Sequence, residues 1–97
     1  MHELAARFGA GEVDLLDVRQ PGEWAAGHVG GATFLTGAAL PAQAGELAEG
    51  RPLAVMCGSG FRSSVAASLL LSRGRLGVLN VAGGMAAWKT ARYPIET

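Results

Sequence analysis

The sequence predicts a layered α/β domain built around a mainly parallel sheet. Short apolar runs alternate with segments of helical periodicity along the whole chain, which is the pattern of strand–helix–strand units. The chain has 97 residues and shows no internal repeat or low-complexity linker. Since single domains hold roughly 50 to 200 residues, we expect one domain over residues 1–97.

In the N-terminal half, the pattern predicts two helical segments and two strands. Residues 2–9 place their apolar side chains on one helical face, and Gly9 ends this helix. Asp14 to Val18 has the composition of a buried strand. Pro21 to Trp24 is predicted as a helical turn, because proline suits the first turn of a helix. Ala32 to Leu35 is predicted as the second strand.

In the C-terminal half, the same alternation predicts three more helices and two more strands. Leu40 to Glu49 has apolar residues at helical spacing, which predicts an amphipathic helix. Leu53 to Met56 is a fully apolar strand. Ser63 to Arg73 is apolar around most of its circumference, so we expect a largely buried helix capped by its serines. Val78 to Val81 is a strand, and Met85 to Ala91 is a short last helix.

Composition excludes several classes of partner. The chain is 49% hydrophobic and 16% charged, and its eight basic residues balance eight acidic ones. A net charge of zero lacks the basic footprint of nucleic-acid binding or of binding to an anionic membrane. No apolar run reaches the roughly 18 residues of a membrane span. We therefore expect a cytoplasmic protein with neither polymer as a partner.

The chain has one cysteine, Cys57. A disulfide within the chain is therefore impossible, and Cys57 with the widely separated His2 and His28 does not make a cysteine-based zinc site. We expect neither a metal nor a cofactor. A lone cysteine is often a small buried hydrophobe, but its position favours chemistry: it follows the strand Leu53 to Met56 at the sheet edge where α/β proteins bind ligands.

The segment Cys57-Gly58-Ser59-Gly60-Phe61-Arg62-Ser63 forms the candidate active loop. Its two glycines let the backbone curl so that N–H groups converge on one point, and the following helix adds a positive N-terminus. Both features stabilise a thiolate and lower the pKa of Cys57. Arg62 supplies a cation that either pairs with an anionic substrate or anchors the loop to a carboxylate. Phe61 is placed to shape the mouth of the pocket.

Three segments together resemble the rhodanese superfamily of sulfurtransferases. Leu15 to Ala32 (LLDVRQPGEWAAGHVGGA) is similar to its N-terminal signature, Cys57 to Ser63 to its active loop, and Asn80 to Trp88 (NVAGGMAAW) to its C-terminal signature. The resemblance implies a three-layer rhodanese-like fold, with a central mainly parallel sheet flanked by helices on both faces. It also implies a cysteine persulfide as the catalytic intermediate.

Loop length separates this family from phosphatases that share its fold. The phosphatases have one more residue between the cysteine and the arginine, because a phosphate or arsenate oxyanion needs a wider ring of N–H donors than one sulfur atom. Only four residues separate Cys57 from Arg62. We therefore expect transfer of a sulfane sulfur from thiosulfate, a polysulfide or a persulfide to cyanide or a thiol. The hydroxyl of Ser59 or Ser63 would help to hold the persulfide.

Two supporting residues, Asp17 and Arg19, lie at the carboxyl end of the first predicted strand, on the same edge as Cys57. The resemblance implies that they brace the active loop or line the rim of the pocket, and an ordinary structural ion pair is the alternative. Gly83 and Gly84 follow a strand at this edge, so either a close backbone approach to the pocket or a simple tight turn is expected. Gly58 stands where many relatives have a larger or basic side chain, so thiosulfate is expected to be a poor donor.

Two other functions remain open from the sequence. One is a noncatalytic interaction or sulfur-carrier domain, fused to or partnered by a protein of sulfur metabolism. The other is a phosphatase or arsenate reductase on the same fold. The presence of both Cys57 and Arg62 argues against the noncatalytic alternative.

Overall fold

The computed structural model describes all residues from Met1 to Thr97 and contains one four-stranded, all-parallel sheet. The strands are β1 (Asp14–Asp17), β2 (Thr33–Phe34), β3 (Leu53–Met56) and β4 (Val78–Asn80). Their order in the sheet is β2-β1-β3-β4, so β1 and β3 are central. The predicted α/β class is confirmed.

The helices are α1 (His2–Gly9), α2 (Pro21–Ala26), α3 (Leu40–Gln43), α4 (Phe61–Ser72) and α5 (Gly84–Thr90). A short 3-10 turn, Ala44–Glu46, follows α3. The glutamine before α2 and the third residue of that helix form a reciprocal capping box, and proline occupies its first position, as predicted. No helix in the structure combines the length and the apolarity that a membrane span requires.

Alternation along the strands divides the core into two clusters, one on each face of the sheet. On the first face, Leu16 and Val55 pack with Leu40 of α3 and Leu70 of α4. On the second face, the alternate residues pack with α5 and with partly buried side chains of α1; they are Leu15, Ala54 and Met56 with Val29, Val81, Met85 and Trp88. Because successive side chains of a strand point to opposite faces, a fully apolar strand such as β3 needs both layers. Helices therefore cover both faces, as predicted.

The middle helix predicted over Leu40 to Glu49 is wrong as one continuous element. The α-helix ends at Gln43, and the backbone is extended at Leu47 (φ −71°, ψ 139°). Gly45 lies in this stretch, and glycine is about 1 kcal/mol less favourable than alanine inside a helix. The apolar residues at helical spacing are instead shared between two short segments, and Leu40 and Leu47 are buried in the core.

Helix α4 differs from its prediction in two ways. It starts two residues earlier, at Phe61, and its N-cap is Gly60 in the left-handed conformation, so the serines do not cap it. It is also only half-buried: Val65 is 59% and Leu71 is 52% exposed. The sheet covers one side of α4 and no layer lies outside it, so its apolar circumference did not indicate full burial.

Candidate active site

The carboxyl ends of β1 and β3 lie side by side, because Asp17 is in register with Met56. Cys57 follows Met56 directly and is 1% exposed. Its backbone carbonyl accepts a hydrogen bond from the N–H of Met85 in α5 (2.8 Å). The cysteine is therefore held at the sheet edge where open α/β folds bind their ligands.

The loop after Cys57 turns backbone N–H groups toward the sulfur. The N–H of Gly60 donates to Sγ of Cys57 at 3.1 Å, and those of Ser59 and Ser63 also interact with it. The turn requires φ +112° at Gly60, and a Cβ there would lie 3.4 Å from the backbone nitrogen of Gly83. Glycine is needed at Gly60 because this conformation disfavours residues with a Cβ.

Ser63 places a hydroxyl beside the sulfur. Its Oγ lies 3.4 Å from Sγ of Cys57, and the residue is fully buried. The same Oγ lies 2.5 Å from Oδ1 of Asn80, at the end of β4, and 3.2 Å from the Gly60 carbonyl oxygen. Asn80 also donates from Nδ2 to the Gly60 carbonyl at 3.3 Å, so β4 holds the loop from outside.

These contacts act on the ionisation of Cys57. Burial of the thiol raises its pKa, but hydrogen bonds from the Ser63 hydroxyl and from the N–H groups of Ser63, Gly60 and Ser59 outweigh burial, and the pKa falls from 9.0 to about 7. A substantial share of the sulfur is therefore thiolate at neutral pH, and the thiolate is the nucleophilic form of cysteine.

Arg62 makes a two-pronged ion pair with Glu23 of α2. Its Nη1 donates to Oε1 at 2.6 Å and its Nη2 to Oε2 at 3.0 Å. The Arg62 hydrogen bond, reinforced by the Gln20 backbone N–H, lowers the pKa of Glu23 to about 2. Of the two roles predicted for Arg62, the structure shows the anchor to a carboxylate. Glu23 lies within the N-terminal signature, and no local sequence pattern identifies it as the partner of Arg62.

Gly83 and Gly84 bring α5 against the active loop. The N–H groups of Met85 and Ala86 donate to the carbonyls of Cys57 and Gly58 at 2.8 and 3.0 Å. A Cβ on Gly84 would lie only 2.2 Å from the Cys57 carbonyl oxygen. The close backbone approach, one of the two alternatives for this glycine pair, is what the structure shows.

Asp17 and Arg19 pair with each other beneath this edge. Arg19 Nη2 donates to Oδ2 of Asp17 at 2.8 Å and to the Gly27 carbonyl oxygen at 2.8 Å. The two residues are 0% and 4% exposed, and no hydrogen bond joins either side chain to residues 57–63. The contacts are those of a buried structural ion pair that fixes the end of α2.

The remaining loop residues form an open rim. Phe61 is 76% exposed, and Ser59 is exposed beside it. A Cβ on Gly58 would lie 3.0 Å from Nη2 of Arg62, so the absence of a side chain there makes room for the Arg62–Glu23 pair. Ser59, Gly60 and Ser63 thus contact the sulfur, whereas the side chain of Phe61 projects into solvent.

A largely apolar groove lies elsewhere on the molecule. It has a volume of about 700 Å³, and its lining includes Phe8, Trp88 and Tyr93 but no residue of the active loop. It contains no cysteine, and no group of three or more His, Cys, Asp or Glu side chains in the structure is arranged to hold a metal ion. The Cys57 loop, with its donors around a buried sulfur, is therefore the candidate site rather than this groove.

Comparison with known proteins places this geometry in context. A family model described as "Rhodanese-like domain" matches residues 1–91. A protein of Allochromatium vinosum named "Sulfurtransferase" is 36% identical over 84 residues, which is 87% of this chain and 78% of that protein.

Solved structures give the same fold. A rhodanese-related protein from Thermoplasma volcanium superposes with a TM-score of 0.90 at 27% identity, covering 98% of this chain and 92% of that one. A protein of unknown function from Rhodopseudomonas palustris, described as a possible tyrosine phosphatase, has a TM-score of 0.83 at 27% identity, covering 96% and 77%. The three-layer fold predicted from the sequence is thereby confirmed.

Proposed function

Because this chain belongs to the rhodanese-like domain family, we propose that it is a sulfurtransferase that carries a sulfane sulfur as a persulfide of Cys57. The observation that carries the proposal is the set of N–H and O–H donors around a buried sulfur whose pKa is lowered to about 7. A structural thiol needs no such stabilisation. The relative named "Sulfurtransferase" supports the same class of reaction.

In the first half-reaction, the Cys57 thiolate attacks the outer sulfur of thiosulfate. The new sulfur–sulfur bond forms as the old one breaks, and sulfite leaves with the electron pair of the broken bond. In the second half-reaction, cyanide attacks the outer sulfur of the persulfide, which forms thiocyanate and returns Cys57 as thiolate. Both steps conserve charge and need neither metal nor cofactor, and one covalent intermediate predicts ping-pong kinetics.

The charges at the rim do not favour thiosulfate as the donor. The cationic group nearest the sulfur, Arg62, is already neutralised by Glu23, and Gly58 offers no side chain of its own. An anionic sulfonate group therefore gains little at this rim. The small-molecule acceptor is external, because the chain has no second cysteine to resolve the persulfide as a disulfide.

We further infer a cytoplasmic setting, one domain over residues 1–97, no nucleic-acid or membrane partner, and either a fused or a separate partner protein in sulfur metabolism. A phosphatase is the second candidate, favoured by the relative described as a possible tyrosine phosphatase. The four-residue spacing between Cys57 and Arg62 argues against it, because this loop offers fewer N–H donors than a phosphate requires.

The test compares the wild type with Cys57→Ser, using thiosulfate, glutathione persulfide and mercaptopyruvate as donors in parallel. Sulfur transfer should disappear in Cys57→Ser and persist in Ser68→Ala, a control at an exposed position of α4. Full thiosulfate:cyanide activity in Cys57→Ser would contradict the proposal. Hydrolysis of p-nitrophenyl phosphate, lost with Cys57, would instead support the phosphatase.

A further inference from the structure

The hydroxyl of Ser63 has one proton and three acceptors within reach. Asn80 Oδ1 lies 2.5 Å from Ser63 Oγ, the Gly60 carbonyl oxygen 3.2 Å and the Cys57 sulfur 3.4 Å. A serine hydroxyl donates only one hydrogen bond at a time. The three acceptors therefore compete, and the shortest distance gives the proton to Asn80.

The orientation of the Asn80 amide is set by its two partners. Nδ2 donates to the Gly60 carbonyl oxygen at 3.3 Å, so Oδ1 is the atom that faces Ser63. The Gly60 carbonyl also accepts from the Ser64 N–H at 3.2 Å. Gly60 is therefore satisfied without Ser63, and the contest for the Ser63 proton is between Asn80 and the Cys57 sulfur.

This contest depends on the ionisation state of the sulfur. A Cys57 thiol can donate its own proton to Ser63 Oγ while the Ser63 hydroxyl donates to Asn80. A thiolate has no proton to give and instead needs the Ser63 hydroxyl, which must first leave Asn80 Oδ1. Ionisation therefore breaks one hydrogen bond in order to make another.

We propose that Asn80 is a positioning residue that competes with the Cys57 thiolate for the single hydroxyl proton of Ser63. This role deepens the proposed function and rests on it, because Asn80 tunes the nucleophile that would carry the sulfur. Thiolate nucleophilicity falls as the thiol becomes more acidic, and attack on sulfur is fastest when the pKa is near the ambient pH. By drawing the proton away, Asn80 holds the pKa of Cys57 above the value that full donation from the Ser63 hydroxyl would give, and so preserves the nucleophilicity of the thiolate.

The charged residues around the sulfur do not account for the effect of Asn80 on the pKa of Cys57. The positive charge of Arg62 on α4 interacts with the Cys57 thiolate, but this charge is opposed by Glu23 on α2. Asp17 and Arg19 at the end of β1 neutralise each other. β4 carries no charged residue, and the one charge of α5, Lys89, lies in its last turn.

The test is an absorbance titration of the thiolate in the full chain, with Cys57→Ser as the baseline. Asn80→Ala should lower the pKa of Cys57 by roughly half a unit to one unit, the size of one competing neutral hydrogen bond. A merely structural role predicts the opposite sign, because a loosened loop loses donors to the thiolate. Asn80 is exposed, and circular dichroism checks that each variant folds.

A second arm isolates the Ser63 proton. In a Ser63→Ala background, Asn80→Ala should leave the pKa of Cys57 unchanged. An unchanged or raised pKa in Asn80→Ala, or an equal fall without the Ser63 hydroxyl, would overturn the proposal. The titration needs no sulfur donor. It therefore tests the role of Asn80 even if the chain does not transfer sulfur.

Discussion

The contact between Gly84 and the Cys57 backbone allows a sharp prediction for Gly84→Ala. The added Cβ would lie 2.2 Å from the Cys57 carbonyl oxygen and 2.9 Å from that of Gly58, whereas ordinary contacts begin at 3.4 Å. Both neighbours are backbone atoms, so neither can rotate away. The start of α5 and the active loop must therefore separate by about an ångström.

The cost follows from what this separation breaks. Two hydrogen bonds, from Met85 to Cys57 and from Ala86 to Gly58, contribute about 0.5 to 1.5 kcal/mol each. Alanine at the φ of +51° found for Gly84 adds strain of about 1 kcal/mol. We expect a loss of about 2 to 4 kcal/mol in the free energy of unfolding, a large share of the roughly 5 to 15 kcal/mol that stabilise a domain.

The assay is urea unfolding of Gly84→Ala beside a matched control, Gly22→Ala. Gly22 lies in α2, has open space around its Cβ position and does not have a positive φ, so its variant should stay within about 1 kcal/mol of the wild type. Gly84→Ala should also raise the pKa of Cys57, because the displaced loop loses N–H donors to the thiolate. Equal stability and an equal Cys57 pKa in both variants would refute the reasoning.

Two further predictions concern charge. Because the Cys57 pKa is about 7 in the folded chain against 9.0 for a free thiol, the unfolded state binds the extra proton between these values. Stability should therefore rise by roughly 2 kcal/mol from pH 7 to pH 9, and urea unfolding of Cys57→Ser should lack this rise. Since Glu23 titrates at about 2, it neutralises Arg62 throughout the working range, and Glu23→Gln should lower the KM for thiosulfate several-fold. An unchanged KM, or an equal fall in the surface control Glu46→Gln, would count against this role.

Local sequence was sufficient to predict the backbone around Cys57. β3 was predicted at its observed bounds because a short, fully apolar run has few alternatives in a two-sided core. Cys57 and its two loop glycines were predicted to lie between a strand and a helix because these segments are contiguous in the chain. The pKa of Cys57 depends in part on backbone N–H groups of its own loop, and a local sequence pattern is enough to predict such a loop.

Partners from distant segments were not predictable in this way. Glu23 reaches Arg62 across 39 positions, and Asn80 reaches Ser63 across 17, so only the packed sheet brings them together. The exposed side of α4 was misjudged for a related reason: a helical pattern shows which residues are apolar, not whether a further layer covers them. For Gly84, the sequence left two alternatives that only the position of the Cys57 carbonyl could separate.

The central claim, that Cys57 carries a sulfur atom between donor and acceptor, is tested most directly by intact-protein mass spectrometry. After treatment with thiosulfate or glutathione persulfide and removal of excess donor, the chain should gain the mass of one sulfur. The gain should be absent from Cys57→Ser and should disappear on addition of cyanide, with one thiocyanate formed per persulfide. A chain that never gains this mass with any sulfane-sulfur donor, or a Cys57→Ser variant that gains it equally, would contradict the account.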